Sequence, residues 1–407
     1  MHILFLTDNF PPEGNAPATR TFEHAREWVK EGHKVTVITC APNFPEGRVF
    51  EGYKNSLYSR SNMDGIDVVR VKTFISSNEG FVLRILDFIS FMFSSFLAGL
   101  LQRKVDVIVA TSPQFFTAVS GWALSTVKRK KFVFELRDIW PASITAVGAM
   151  KDSWAIKILE KLEMFLYRRA DSIISVTKSF KQELIERGID GGKISVVLNG
   201  VDLSKYQLQR KKDKYFSEKY KLENKFVVGY IGTHGLAHAL EHVIEAAELL
   251  QADENIRFLF AGGGAAKDKL VKLVDEKQLT NVVFIARQPK ESMPSIWSLC
   301  DVSLISLRDT PLFKTVIPSK IFESMGMGLP MLAPIPKGEA SEIIELANAG
   351  IICSPENGDT LAEKVVELIS SEKLLHQYQQ NSLAAAAQFD RKQMASLMLD
   401  VVERLTK

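Results

Sequence analysis

Along the first half of the chain, short apolar runs alternate with stretches in which apolar residues recur every three or four positions. The runs fall at His2–Thr7, Lys34–Thr39, Ile66–Val71, Asp106–Ala110, Lys131–Leu136, Ser172–Val176 and Ile194–Leu198. Most are unbroken Val, Ile, Leu and Phe rather than apolar–polar alternations, the pattern of strands covered on both faces. Between them Ala18–Glu31, Phe115–Lys128, Trp154–Arg169 and Ser179–Arg187 carry helical spacing. Strand and helix alternating at this interval predict a doubly wound parallel sheet.

Asn199-Gly-Val-Asp202 ends that series, and the chain from Leu203 to Asn224 is polar, rich in lysine and linker-like. A second series opens at Phe226–Gly232 and continues through Ile256–Ala261, Val282–Ile285, Val302–Ile305, Met331–Ala333 and Ile351–Cys353. The expected α/β architecture is two Rossmann-like, doubly wound domains with a cleft between them. Their spans are 1–202 and 225–385, joined by 203–224. Terminal helices at about Glu372–Ala387 and Arg391–Leu405 follow, and residues 386–407 are expected to cross back to the first domain.

A length of 407 residues suits two domains. A formal charge of +3 gives no ground for nucleic-acid binding. Cys40, Cys300 and Cys353 lack metal-ligand spacing, which points to a reducing compartment and no zinc site. The N-terminus reads as a first strand rather than a leader, because it runs straight into Asp8 and a Pro-rich loop. Residues 81–101 alter the picture, being intensely apolar, rich in Phe, interrupted by Arg84 and Asp87 and followed by Arg103 and Lys104. Two readings stand: a helix that packs one face on its domain and lays the other on a bilayer, or a buried core helix. The charges and the short apolar stretch argue against a span.

The densest chemistry lies in Pro311-Leu-Phe-Lys-Thr-Val-Ile-Pro-Ser-Lys-Ile-Phe-Glu-Ser-Met-Gly-Met-Gly-Leu-Pro330. Ser319 is positioned to N-cap a short helix from Lys320 that Gly326 and Gly328 punctuate. Free amides, the dipole and the Lys320 ammonium would suit a diphosphate, and Glu323 one turn on could take two ribose hydroxyls. The plain alternative is a solvated glutamate. The loop after the first strand, Asp8 to Arg20, lacks the Gly-x-Gly-x-x-Gly of dinucleotide folds. Gly14 and Asn15 could instead turn amides toward a phosphate or sugar, or simply form a surface turn. Arg137-Asp138-Ile-Trp-Pro141 follows a buried strand at an end where such folds bind ligands. Asp138 is either a site residue or half of a structural Arg–Asp pair, and Lys178 is most simply a solvated residue. In the second half, Gly232-Thr-His-Gly-Leu-Ala-His238 and Ala261-Gly-Gly-Gly264 each follow a strand, and Gly263 suits close backbone approach to a nucleotide or a tight turn. The chain contains no Asp-x-Asp triplet of the kind that holds Mg²⁺ on a diphosphate.

Strand, loop, Ser-Lys-x-x-Glu helix, Gly-x-Gly-x-Pro and strand, together with Gly32-His-Lys-Val-Thr-Val37, resemble the retaining glycosyltransferases of family 4. That resemblance covers nearly the whole chain and implies the two-domain GT-B fold. It also implies a UDP-sugar donor on the second domain, no required metal, Glu323 on the ribose and Lys320 on the diphosphate. The family's first motif Glu, eight residues before Glu323, is Thr315 here. Thr233 and His238 stand where an Arg and a Lys usually hold the diphosphate, which leaves charge compensation to His234, His238, Lys320 and helix amides. Gly232 belongs to that loop, Arg287 falls in the family's uracil-binding stretch, and Asp138 is nearest to a His that sits beside the donor sugar. Pro-Ser-Lys-Ile-Phe-Glu and Arg-Asp-Ile-Trp-Pro look like the N-acetyl-L-fucosaminyl transferases of bacterial O-antigen and capsule clusters. The implied acceptor is a polyprenyl-diphosphate-linked saccharide, entering near Gly14 and Asp138 at the inner face of the cytoplasmic membrane. A UDP-sugar 2-epimerase and a non-catalytic sugar-nucleotide binder remain the other readings.

Overall fold

The computed structural model describes residues 1–44, 46–75, 81–112, 114–140 and 154–407. They form two compact units, Met1–Asn199 with Arg391–Lys407, and Gly200–Asp390.

The first unit is built on strands β1 (His2–Leu6), β2 (Lys34–Cys40), β3 (Tyr58–Met63), β4 (Ile66–Val71), β5 (Val107–Thr111), β6 (Lys131–Leu136), β7 (Ser172–Ser175) and β8 (Ile194–Val196). They lie in the order β3-β4-β2-β1-β5-β6-β7-β8. Alternate side chains of β1 enter opposite cores: Leu4 and Leu6 one, Ile3 and Phe5 the other. The first core is closed by the helices Phe81–Leu100, Phe115–Lys128 and Trp154–Arg169 through Phe91, Leu124 and Leu166. The second is closed by the helices Ala16–Lys30 and Arg391–Thr406 through Trp28, Met398 and Val402. Trp28 Nε1 donates to the Ala395 carbonyl at 2.9 Å, fixing the terminal helix to the first.

One expectation is corrected in this unit. The sheet is mixed, because β3 pairs antiparallel with β4. Five of the six β3 residues are exposed and the sixth is half-buried, so no hydrophobic pattern announces it. Its turn at Asp64-Gly65, with φ of 51° and 83°, is the hairpin signal. Asn15 caps the helix Ala16–Lys30, its Oδ1 accepting from the Ala18 amide at 2.9 Å.

The second unit carries β9 (Phe226–Thr233), β10 (Ile256–Gly263), β11 (Val282–Ile285), β12 (Val302–Leu304), β13 (Met331–Pro334) and β14 (Gly350–Cys353), all parallel, in the order β11-β10-β9-β12-β13-β14. Its core packs Val228, Tyr230, Phe258 and Phe260 against Val243, Ile244, Leu361 and Val365. The polar stretch 203–224 is part of this unit rather than a free linker. It buries Leu222 and Tyr206, forms the helix Lys214–Lys219, and ties Lys212 Nζ to Asp301 at 2.6 Å. Its few apolar side chains suffice to anchor it beneath a lysine-rich exterior.

Candidate nucleotide-binding site

The carboxyl ends of β9 and β10 approach each other through three glycines. Gly232, Gly262 and Gly264 have φ of 139°, 141° and 149°, a region closed to other residues without strain. A Cβ on Gly262 would lie 2.0 Å from the Gly232 carbonyl oxygen, and one on Gly264 would lie 2.6 Å from that of His234. Glycine is therefore required for backbone to pass backbone. Gly263 differs, with nothing within 4 Å of a built Cβ, so this turn leaves space there.

Lys320 opens the helix Lys320–Gly326 and reaches into that corner. Its Nζ lies 3.4 Å from the centroid of the Tyr230 ring and 3.3 Å from where a Gly232 Cβ would be. Tyr230 Oη donates to the Thr233 carbonyl at 2.8 Å, holding the ring beneath the amine. Lys320 is buried and its Nζ has no hydrogen-bond partner among the described residues, so the ring face is its direct contact. Burial pushes its pKa down to about 7, with Glu323 one turn away acting in the opposite direction.

Ser319 adopts helical dihedrals and makes no capping bond with its side chain. The Ile321 amide donates to Pro318, and those of Phe322 and Glu323 donate to Ser319. These amides of the first turn are consumed internally, leaving more of an anion's recognition to Lys320. Thr315 ends a 3-10 turn over Pro311–Lys314, its Oγ1 donating to the Leu312 carbonyl at 2.8 Å. That turn packs against Gly338, where a Cβ would lie 2.2 Å from the Lys314 carbonyl oxygen.

The two histidines are not the charges expected of them. His234 is fully buried among Tyr230, Phe260 and Phe284, and among the described residues neither ring nitrogen has a hydrogen-bond partner. Burial, then Lys267 and Lys320, bring it down to about 4. Burial and Lys320 bring His238 down to about 3, while its Nδ1 lies 3.1 Å from the Ser306 carbonyl oxygen. Both are neutral at neutral pH. Arg308, which the sequence pattern did not single out, organises this loop instead. Its Nε donates to the Leu236 carbonyl at 3.0 Å, while its guanidinium meets Glu241 at 2.7 Å and Glu356 at 3.2 Å. Its position after the carboxyl end of β12 was the available signal. Arg287 is exposed in the loop after β11.

In the first unit, Gly14 is exposed with open space around it, and Asn15 begins the helix Ala16–Lys30. Asp138 follows β6 half-buried, and its amide donates to Ser112 Oγ at 3.2 Å. Neighbouring Arg137 gives Nη1 to the Pro17 carbonyl at 3.2 Å, and Glu135 is the first carboxylate acting on it. Lys178 starts the helix Lys178–Glu186 after the Thr177 cap.

Compared with known proteins, residues 18–205 match the family model "Glycosyltransferase Family 4", and residues 211–384 match "Glycosyl transferases group 1". WcaI of Escherichia coli, whose name places it in colanic acid biosynthesis, is 25% identical over 335 residues, 81% of this chain and 82% of its own. WbjE of Pseudomonas aeruginosa, named as a glycosyltransferase, is 26% identical over 69% of this chain and 70% of its own. The crystal structure of Anabaena HepE in complex with UDP superposes over 100% of both chains with a TM-score of 0.73 and 19% identity. Fold and matches define the class: this is a sugar-transferring glycosyltransferase of the GT-B fold. The family 4 match lies in the first half of the chain and the group 1 match in the second.

Proposed function

We propose that the chain transfers a sugar, with retention of anomeric configuration, from a UDP-sugar to a lipid-linked saccharide in bacterial surface-polysaccharide synthesis. The observation that carries the reading is the Lys320 amine, buried on the Tyr230 ring without a hydrogen-bond partner among the described residues, where the glycine-rich ends of β9 and β10 meet. A diphosphate there would give the amine its missing partner. Glu323, one turn along the same helix, would take the ribose hydroxyls. As the glycosidic bond stretches, negative charge grows on the leaving diphosphate, and a fixed ammonium aimed at it lowers the barrier. Gly263 leaves room for the nucleotide to approach backbone, Gly232 and His234 form the corner's wall, and Arg287, exposed after β11, would contact the base.

The first unit would handle the acceptor, with Gly14 and Asp138 in the loops after β1 and β6. The donor sugar is an N-acetylated amino-deoxy hexose, with N-acetyl-L-fucosamine suggested by the form Pro318-Ser-Lys-Ile-Phe-Glu323. Support for UDP comes from the likeness to HepE, whose crystal structure is a complex with UDP, and support for polysaccharide synthesis from the name of WcaI. The enzyme would work without a metal at the inner face of the cytoplasmic membrane.

Calorimetric titration of UDP in EDTA, with wild type and Glu323→Ala, tests the site. Binding that survives EDTA and is lost in the variant supports it; binding indifferent to Glu323 overturns it. Incubating UDP-sugar without acceptor then separates transfer from epimerisation, because only an epimerase turns the donor over alone.

A further inference from the structure

The helices Phe81–Leu100, Phe115–Lys128 and Trp154–Arg169 form one layer on a single face of the first sheet. They are closely interlocked. Ser95 Oγ donates to Ser120 Oγ at 2.9 Å, a Cβ on Gly99 would lie 2.4 Å from Leu124, and Trp122 packs edge-on to Phe165 with centroids 4.9 Å apart. Because all three bury one side in the same core, their other sides face outward together.

That outward side is apolar where a solvated helix would be polar. In the first helix Phe91, Ser95 and Ala98 face the core, while Leu86, Phe93, Leu97 and Leu101 continue an exposed stripe of helical spacing. Phe93 is 60% exposed and Leu97 62%. Val127, at the end of the second helix, and Trp154 and Ile158, in the third, add to it, Trp154 being 77% exposed. On the opposite face of the sheet, the helices Ala16–Lys30 and Arg391–Thr406 expose one large apolar side chain, Leu397. The asymmetry marks a contact surface.

Charge selects the partner. Across 83–104, 115–130 and 154–169, nine Lys and Arg are exposed against one carboxylate, Glu160. The chain as a whole is nearly balanced, with 51 basic and 48 acidic residues. Arg103, Lys104, Arg129 and Lys130 cluster where the first two helices end, next to Leu101 and Val127. Lys128 joins those ends by donating to the Leu100 and Gln102 carbonyls at 3.1 and 2.7 Å. Apolar side chains ringed by cations match an anionic bilayer surface, with acyl chains beneath and phosphate head groups beside.

We infer that this three-helix layer docks in the plane of an anionic membrane, with Phe93, Leu97, Leu101 and Trp154 inserted below the head groups. By length and composition Leu83–Leu100 could cross a bilayer. Its tertiary bonds hold it in the layer instead. Ser90 Oγ accepts from the Phe74 amide and Ser94 Oγ donates to the Lys72 carbonyl, each at 2.7 Å, and Phe91 is fully buried. A span would break all of these. The inference deepens the proposed lipid-linked acceptor, which such docking would bring to the first unit, but the surface itself is independent of that reading.

The test is co-sedimentation of the full chain, without donor or acceptor, with phosphatidylcholine vesicles containing or lacking phosphatidylglycerol. Binding should need phosphatidylglycerol, fall as salt rises, and reverse in alkaline carbonate. Phe93→Asp with Leu97→Asp should lower partitioning at least tenfold, and Arg129→Glu with Lys130→Glu should lower it about fivefold per charge at low salt. Both pairs lie in the first unit and should keep UDP affinity and melting temperature. No vesicle binding, equal binding to neutral vesicles, carbonate-resistant insertion, or a Phe93/Leu97 variant that still binds would each overturn the inference. Self-association abolished by Phe93→Asp, with no vesicle binding, would reassign the face to a second copy of the chain. Because UDP binding is measured on the same preparations, failure of the membrane surface and failure of the nucleotide site are read separately.

Discussion

Lys320 Nζ stands 3.4 Å over the centre of the Tyr230 ring, and among the described residues no hydrogen-bond acceptor meets it. Burial brings the amine's pKa down to about 7, so it is about half-ionised near neutrality. A bound diphosphate favours the ammonium, so above pH 7 binding must take up a proton. UDP affinity is expected to fall as pH rises from 7 toward 9, by up to about tenfold per unit. Calorimetry in two buffers of different ionisation enthalpy measures the uptake. Lys320→Met should remove the uptake and weaken binding by about 10- to 100-fold, the worth of a hydrogen bond to a charged group. In the free chain the sign is the reverse of an ordinary ion pair. Between about pH 7 and 10.5 the unfolded lysine holds a proton the folded one lacks, so this group's contribution to stability rises with pH.

Gly262 and Gly263 are neighbours with opposite tolerances. Gly262→Ala drives a Cβ to 2.0 Å from the Gly232 carbonyl oxygen at a φ of 141°, and should cost at least about 2 kcal/mol of stability, seen as a lower melting temperature. Gly263→Ala meets nothing within 4 Å, so melting should hardly move. If the nucleotide comes against this backbone, UDP affinity should fall instead.

The buried pair Arg20–Glu135, Nε to Oε1 at 2.8 Å with both side chains 1% exposed, predicts a non-additive mutant cycle. The remaining Arg20 nitrogens donate to the Val197 and Leu198 carbonyls at 3.1 and 2.7 Å. Arg20→Leu alone strands a buried carboxylate and should cost about 3–5 kcal/mol, whereas adding Glu135→Leu should recover part of it in denaturant titrations.

Acid should act on that pair as well. Burial raises Glu135, but Arg20 and Arg137 outweigh it and hold the carboxyl below its ordinary 4.5. The stabilisation is complete above pH 4.5 and is lost as pH falls through the lower folded value. Melting temperature against pH should show this loss in wild type, and the double variant Arg20→Leu/Glu135→Leu should lack it.

What the chain discloses by itself depends on whether burial leaves a mark in the pattern. The parallel strands are legible because each is covered on both faces and must be apolar throughout. Exposed β3 carries no such mark, and only Asp64-Gly65 betrays it. The stretch 203–224 misleads because a lysine-rich surface hides Tyr206 and Leu222, two buried anchors. At the candidate site, spacing puts Lys320 at the head of a helix. That Tyr230 lies beneath it depends on how the helix seats against β9, which no local pattern records. The neutrality of His234 and His238 likewise arises from burial and from nearby lysines distant in sequence.

The helix Arg391–Thr406 lends Met394, Ala395, Met398, Leu399, Val401 and Val402 to the core behind β1, β2 and β5. During synthesis, residues 1–199 emerge with that side of their sheet covered only by the helix Ala16–Lys30, and it stays so until residues 391–407 are made. The second unit, contiguous in the chain, meets no such delay and can fold while the first still waits. A ribosome stalled before residue 391 would thus carry a nascent chain whose apolar sheet face invites chaperones. A soluble version of the first unit made alone would need its closing helix grafted back.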